Sequence, residues 1–247
     1  MSNNSWFRDW FESEDYLLIY KHRNKEEAAL LVRLVTGTLR LAEKSQILDL
    51  ACGFGRHSIL FGENGYSVTG LDLSSTLLKI ARHDAEARGV KLSLVRGDIR
   101  EEVFRPGFDL VSNFFTSWGY FSDRENFDIF RLIAGYLKSG GYFVFDYFNK
   151  QYLLKNLVPE SEEVHQGITI SQKRYFTDDS VNKVIRIKKR NSVKEFEESV
   201  KLYDPGLIID KLTATGFKIR NQFGNYNGEM YDVNNSPRLI LICQKEY

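Results

Sequence analysis

Cysteine, proline and methionine are scarce in this chain of 247 residues, which holds two, four and two of them. Cys52 and Cys243 lie far apart, with no CxxC or Cys/His spacing. Neither a disulfide framework nor a zinc site is indicated, no metal is expected, and a reducing, cytoplasmic setting fits. No apolar run approaches the roughly 18 residues needed to cross a bilayer, which argues against a membrane partner. A dominant charge is missing too: 34 basic residues against 33 acidic ones leave +1. With the signs interspersed there is no field to draw nucleic acid or an anionic lipid surface. The segment from Met1 to Asp15 is polar and aromatic rather than basic and then apolar, so no secretory leader is expected. What is plentiful is apolar material, 43% of the chain. That is enough for a core, at a length suited to one large domain or a domain with an insertion.

Apolar positions at helical spacing (Ala28, Leu31, Leu34, Val35, Leu39) predict an amphipathic helix over 26–42. Strands are expected at 46–50, 66–72, 92–96, 108–115 and 141–148, with helices over 56–64, 74–88 and 124–138 between them. Strands alternating with helices in this way indicate βαβ units and a parallel sheet. The rhythm breaks after 148. Ile168-Thr169-Ile170, Val184-Ile185-Arg186-Ile187 and Ser199-Val200-Lys201-Leu202 read as an antiparallel insertion of about three strands. Pro205 then opens a helix that ends at Gly216, and strands at 217–225 and 238–245 finish the chain.

The chemistry gathers at Ile47-Leu48-Asp49-Leu50-Ala51-Cys52-Gly53-Phe54-Gly55-Arg56-His57. This is a buried strand, a turn of small residues with two glycines, and a helix start, where backbone N–H groups can meet a ligand closely. Asp49, just before the turn, would repel a pyrophosphate and welcome a ligand carrying an ammonium and a sulfonium, which points to S-adenosylmethionine. Asp72 and Asp98 mark the ends of the second and third strands. In an open parallel sheet the strand C-termini share one crevice, and three carboxylates there are costly unless they bind something. Asp72 is placed to accept both hydroxyls of a ribose, and Asp98 to lie near an adenine amino group with Ile99 packing beside the ring. An isolated Asp at such a junction is more often a helix N-cap. A P-loop is absent, and Ser58 stands where the dinucleotide fingerprint wants glycine.

These stretches resemble the motifs of class I S-adenosylmethionine-dependent methyltransferases of the small-molecule type. Ile47–Gly55 is similar to the first motif, Val68–Ser74 to the second, Gly97-Asp98-Ile99 to the third, and Phe108–Asn113 to the fourth. The resemblance covers 46–148 and resumes over 204–247. It implies a Rossmann-like, seven-stranded, mostly parallel α/β sheet with helices on both faces and an antiparallel last strand. It also implies three parts: an N-terminal helical lid (1–45), the cofactor-binding domain (46–148 and 204–247), and a small antiparallel β insertion (149–203) on the acceptor side or at an oligomer contact. By position, Asp49 and the Ala51–Gly55 backbone, including Gly53, hold the methionine moiety. Asp72 grips the ribose, Leu73 packs on adenine, Asp98 and Ile99 enclose the base, and Asn113 lies beside the sulfonium. Asn113-Phe114-Phe115-Thr116 departs from the (Asp/Asn)-Pro-Pro-Tyr signature, which removes the best support for a nucleobase substrate.

The acceptor is expected beside Phe114, Phe115, Trp118, Tyr120 and Phe121, which crowd the exit of the fourth strand. They are core or pocket wall. Tyr16, Tyr20, His22 and Arg23 precede the first long helix, where such families fold a segment over the cofactor. Arg23 could pair with the cofactor carboxylate or lie in a surface salt bridge. Catalytic candidates are Tyr16, Tyr20, His57 and Trp118, although alignment and desolvation can drive methyl transfer without a general base. Lys183, Arg186, Lys188, Lys189, Arg190 and Lys194 of the insertion read as a solvated face, a dimerising sheet being the other reading. The loop from Tyr226 to Arg238 carries aromatics suited to closing the acceptor pocket. The expected function is methyl transfer to a small-molecule acceptor, an amine first and a hydroxyl or carbon next. The alternatives are a non-catalytic scaffold on the same fold and an NAD-dependent oxidoreductase.

Overall fold

In a computed structural model of the protein, which describes residues 6–20 and 25–246, the chain begins with three helices: α1 (Trp6–Glu12), α2 (Asp15–Tyr20) and α3 (Lys25–Leu39). Alternation follows: β1 (Gln46–Leu50), α4 (Arg56–Glu63), β2 (Ser67–Asp72), α5 (Ser75–Ala87), β3 (Leu92–Arg96), β4 (Phe108–Asn113), α6 (Asp123–Tyr136) and β5 (Leu137–Phe148). Helix α7 (Lys150–Asn156) leads to β6 (Glu160–His165), β7 (Ile168–Phe176), β8 (Ser180–Lys189) and β9 (Ser192–Lys201). Helix α8 (Pro205–Ala214), β10 (Phe217–Phe223) and β11 (Arg238–Lys245) close the chain.

Local chemistry sets these boundaries. The Ser74 hydroxyl accepts from the Leu77 N–H and starts α5. Ser122 and Glu125 form a reciprocal capping box at α6. Pro205 opens α8, where its missing N–H costs nothing. Helix α6 stops at Tyr136 and β5 starts directly at Leu137, earlier than the expected 141. Fully buried Leu137 pairs with Phe108, and the glycines after it absorb a register shift before Tyr142 meets Leu110.

Seven strands form one sheet in the order β10-β11-β5-β4-β1-β2-β3. β11 runs antiparallel to both neighbours, and β1 to β5 are parallel. This is the expected α/β architecture. Strand order reverses between β1 and β4, where Leu50 pairs with Asn113, so a crevice opens beyond those two strand ends. Parallel strands are covered on both faces, hence the nearly unbroken burial of β1. One core packs α6 and α8 (Phe130, Ile133, Ile208, Leu212) on the sheet, and the other packs α3 and α4 (Leu31, Val35, Phe61).

The insertion is a separate antiparallel sheet, β6-β7-β8-β9, with one strand more than expected. The strand missed is β6, Glu-Ser-Glu-Glu-Val-His, an edge that is mostly exposed and so lacks the apolar alternation that marks a strand. A third cluster joins this sheet to the N-terminal helices, with Trp10, Ile19 and Tyr20 packed on Ile170, Ile185 and Ile187. Helices α1 and α2 also escaped the sequence pattern. The signal of α1 was Trp6, Phe7, Trp10 and Phe11, an i, i+4 stripe. Among the described residues no helix is long and apolar enough to cross a membrane.

Candidate functional site

A cavity of about 380 Å³ lies over the switch point, between the end of the parallel sheet, α1 and the inner face of the small sheet. One end is the strand crevice. Asp49, on β1, is 1% exposed, and it accepts hydrogen bonds from the Ser58 hydroxyl at 2.6 Å and the Ser112 hydroxyl at 3.0 Å. Asp72, at the end of β2, accepts the Ser74 N–H on one oxygen and the Gly53 N–H on the other, both at 2.8 Å. Among the described residues no salt bridge reaches either carboxylate. Burial pushes each up to about 6 against those hydrogen bonds; the Asp72 charge adds to the rise at Asp49, and the Arg56 charge acts to lower it.

Asp98 differs. Arg100 grips its carboxylate with Nε at 3.0 Å and Nη2 at 2.8 Å, and Arg8 of α1 approaches to 3.6 Å. Burial raises its pKa, but the Arg100 bonds and charge prevail and hold it below the ordinary carboxylate value. All three acids line the cavity but have unequal partners: among the described residues Asp98 is paired with Arg100, and neither Asp49 nor Asp72 has a salt bridge. Arg100, two residues past Asp98, was the overlooked signal.

The glycine turn divides its labour. Gly53 lines the cavity at φ 56°, and a Cβ there would meet nothing nearer than 4.0 Å, so the space at that turn is open. At Gly55, φ 79°, a Cβ would come within 2.9 Å of the Ala81 Cβ; this glycine lets α4 pack on α5 and is not on the cavity wall. Ala51, Phe115 and Thr116 also adopt left-handed backbone, at φ 56°, 62° and 61°, and all line the cavity. Such strain costs on the order of 1 kcal/mol per residue and persists only where surroundings enforce it. Asp146, fully buried on β5, does so: its carboxylate accepts the Phe115 N–H at 2.8 Å and its carbonyl the Thr116 N–H at 3.0 Å. Arg238 Nε donates to Asp146 at 2.8 Å and Arg238 Nη2 to the Thr116 hydroxyl at 3.0 Å.

The far wall belongs to the small sheet. Lys183 forms an ion pair with Glu198 at 2.5 Å, and Glu198 also accepts from Trp10 Nε1 at 2.6 Å and the Tyr20 hydroxyl at 2.5 Å. Burial pushes Glu198 up, yet the Lys183 charge and these donors hold it below its ordinary value. Sequence reading placed Lys183 on a solvated face with its neighbours. Arg186, Lys188 and Arg190 are indeed exposed, whereas Lys189 and Lys194 pair with buried Asp15 of α2 at 2.6 and 2.7 Å. Nothing in the local pattern marks those long-range partners.

Of the other expected residues, Tyr16, Tyr20, Ala51, Leu73, Ile99, Phe114, Phe115, Tyr120 and Phe121 line the cavity, as does His57. Burial and the Arg56 charge lower His57 to about 3, so its imidazole is neutral at ordinary pH. Trp118 is core instead: 1% exposed, stacked on Phe130 at 5.1 Å, its indole N–H donating to the Asn126 carbonyl. Asn113 is 2% exposed and off the wall, donating to the Leu50 carbonyl at 3.2 Å, and its Oδ1 has no partner among the described residues. Tyr226 and Tyr231 are also off the wall, and Tyr226 donates to Asp146 at 3.0 Å. His22 and Arg23 lie outside the described residues.

Residues 47–141 match the family described as a methyltransferase domain. Over 134 residues, 48% of this chain and 45% of the relative, the sequence is 31% identical to glycine N-methyltransferase of Oryctolagus cuniculus. It is 34% identical over 113 residues, 44% of this chain and 45% of the relative, to a Streptomyces venezuelae enzyme named dTDP-3-amino-3,4,6-trideoxy-alpha-D-glucopyranose N,N-dimethyltransferase. The chain spans about half the length of the curated relatives it matches. Its fold superposes on an S-adenosylmethionine-dependent methyltransferase from Clostridium acetobutylicum ATCC 824 with a TM-score of 0.79 at 21% identity, covering 92% of this chain and 94% of the other.

Proposed function

We propose that this chain, whose residues 47–141 match a methyltransferase-domain family and whose fold superposes on an S-adenosylmethionine-dependent methyltransferase, is a class I S-adenosylmethionine-dependent methyltransferase that transfers a methyl group to the nitrogen of a small-molecule amine held in the cavity. S-adenosylmethionine, the cofactor of that family, supplies an electrophilic methyl group on a sulfonium. The observation that carries the reading is the pair of buried carboxylates without a salt bridge among the described residues, Asp49 and Asp72, beside an open glycine turn. A ligand bearing positive charge relieves their cost, and an anionic pyrophosphate would raise it.

The residues fit such a ligand. Each Asp72 oxygen accepts one backbone N–H and keeps a lone pair for a ribose hydroxyl. Leu73 and Ile99 offer an apolar slot for the base, and Asp98, neutralised by Arg100, serves as a fixed acceptor rather than a net charge. Asp49 supplies the negative charge for the methionine end, oriented by Ser58 and Ser112. Phe114, Phe115, Tyr120 and Phe121 exclude water from the acceptor. In so apolar a chamber an amine sheds its proton more readily than in water, which frees the lone pair that attacks. Neutral His57 can accept an N–H from that amine and hold it in line, and a group with a pKa near 3 would not carry the proton away. Two relatives named for glycine and for an aminosugar support an amine acceptor.

Calorimetry with S-adenosylhomocysteine, followed by a methyl-transfer screen of amines with labelled S-adenosylmethionine, tests this reading. Binding near one equivalent and label on an amine nitrogen are expected; absence of binding, or label on oxygen or carbon only, would overturn it.

A further inference from the structure

Antiparallel register places Arg174 opposite Lys183 and Lys183 opposite Glu198, so the three form one row across β7, β8 and β9. Directly opposed residues share a face, and all three line the cavity. The rows on either side are largely apolar: Ile185 opposite Phe196, and Val181 opposite both Phe176 and Val200. Two cations and one carboxylate therefore face a chamber walled by apolar side chains. Glu198 answers Lys183 at 2.5 Å. Arg174 is held by neutral groups instead: Nη1 donates to the Ser161 hydroxyl at 3.2 Å and the Val158 carbonyl at 3.3 Å, and Nη2 to the Gln172 side-chain oxygen at 2.5 Å. Arg238, also on the wall, is spoken for by Asp146 at 2.8 Å.

We infer that the acceptor carries an anionic group, a carboxylate or a phosphate, and that Arg174 receives it. A guanidinium fixed by neutral acceptors keeps its full charge and loses little freedom when an oxyanion arrives. The opposite end of the same cavity is negative, at Asp49 and Asp72. An acceptor with an anion at Arg174 and a neutral amine directed away from it is thus oriented by the charge of the cavity itself. The inference rests on the methyl-transfer reading for the identity of the occupant, while the anion site stands on the row alone.

The test titrates paired probes into protein saturated with S-adenosylhomocysteine: β-alanine against propylamine, and glucosamine 6-phosphate against glucosamine. At least one member carrying the anion should bind about tenfold or more tightly than the twin that lacks it, the scale of a charge-assisted hydrogen bond. The pair that discriminates tells carboxylate from phosphate. Arg174→Gln should erase the preference and Arg174→Lys retain part of it. Arg186→Gln, on the exposed face, should leave it unchanged, with S-adenosylhomocysteine affinity constant throughout. Equal binding of both members of both pairs overturns the inference, and so does a preference that survives Arg174→Gln. If S-adenosylhomocysteine does not bind, the methyl-transfer reading fails, and the same titrations of the unliganded protein decide the anion site by the same criteria.

Discussion

At one end of the cavity Asp49 and Asp72 are buried among serine hydroxyls and backbone N–H groups, whereas Glu198 at the small-sheet end and Asp146, buried on β5 behind the Phe115-Thr116 turn, are held by Lys183 and Arg238. Burial penalises a carboxylate in either place. The small-sheet end meets the penalty within the chain, where Glu198 is driven below its ordinary pKa. The crevice end leaves it standing, and both acids rise to about 6. On the proposed reading the paired buried acids serve the fold, and Asp49 and Asp72 are kept for a ligand's positive charge.

The comparison breaks most visibly at Asp146. Asp146→Ala strands Arg238 and frees the strained Phe115-Thr116 turn. We expect a loss of about 3–5 kcal/mol in denaturant unfolding, the scale of an orphaned buried ion. Asp72→Asn should act the other way. Binding of S-adenosylhomocysteine falls by about 1.5–3 kcal/mol, the scale of hydrogen bonds to a charged group, while the unliganded protein, in which the new NH2 group faces one of the two backbone N–H groups that Asp72 accepts, loses far less stability than Asp146→Ala.

The pH dependence sharpens the same contrast. Asp49 and Asp72 have folded pKa values near 6, above the roughly 3.9 of an unfolded aspartate. Between these values the folded state holds more protons than the unfolded one, so stability falls as pH rises. Their contribution is fully present below about pH 4 and lost as pH passes through 6. Affinity for a cationic ligand runs oppositely and grows over the same window. Thermal melts of the unliganded protein from pH 4.5 to 7, in wild type and Asp49→Asn, should show this trend weakened in the variant. The smallest effect belongs to Glu12, which ties α1 to the start of α5 by accepting the Ser75 N–H at 2.9 Å and the Ser75 hydroxyl. Glu12→Gln should cost about 0.5–1 kcal/mol in urea unfolding, as for a lost cap.

The crevice end was largely legible in the sequence because it is local. Asp49, Gly53 and Asp72 sit at fixed offsets from strand ends, and strand–helix alternation places those ends together. The small sheet and the Asp146–Arg238 pair were not, because their chemistry arises from pairing between distant segments. Arg174, Lys183 and Glu198 meet only through β-sheet register, and Asp146 meets Arg238 only because β11 lies beside β5. Trp118 misled for a related reason: an aromatic at a strand exit reads alike whether it lines a pocket or packs under it. Lys183 read as solvated because a period-two pattern names a face without saying what covers it.

The most direct measurement is calorimetry of S-adenosylmethionine binding near pH 6 in buffers of different ionisation enthalpy, which counts protons exchanged on binding. Ionising Asp49 and Asp72 for a cationic ligand predicts stoichiometric binding with net proton release, reduced in Asp49→Asn. Absence of binding, or binding without proton release, would contradict the account.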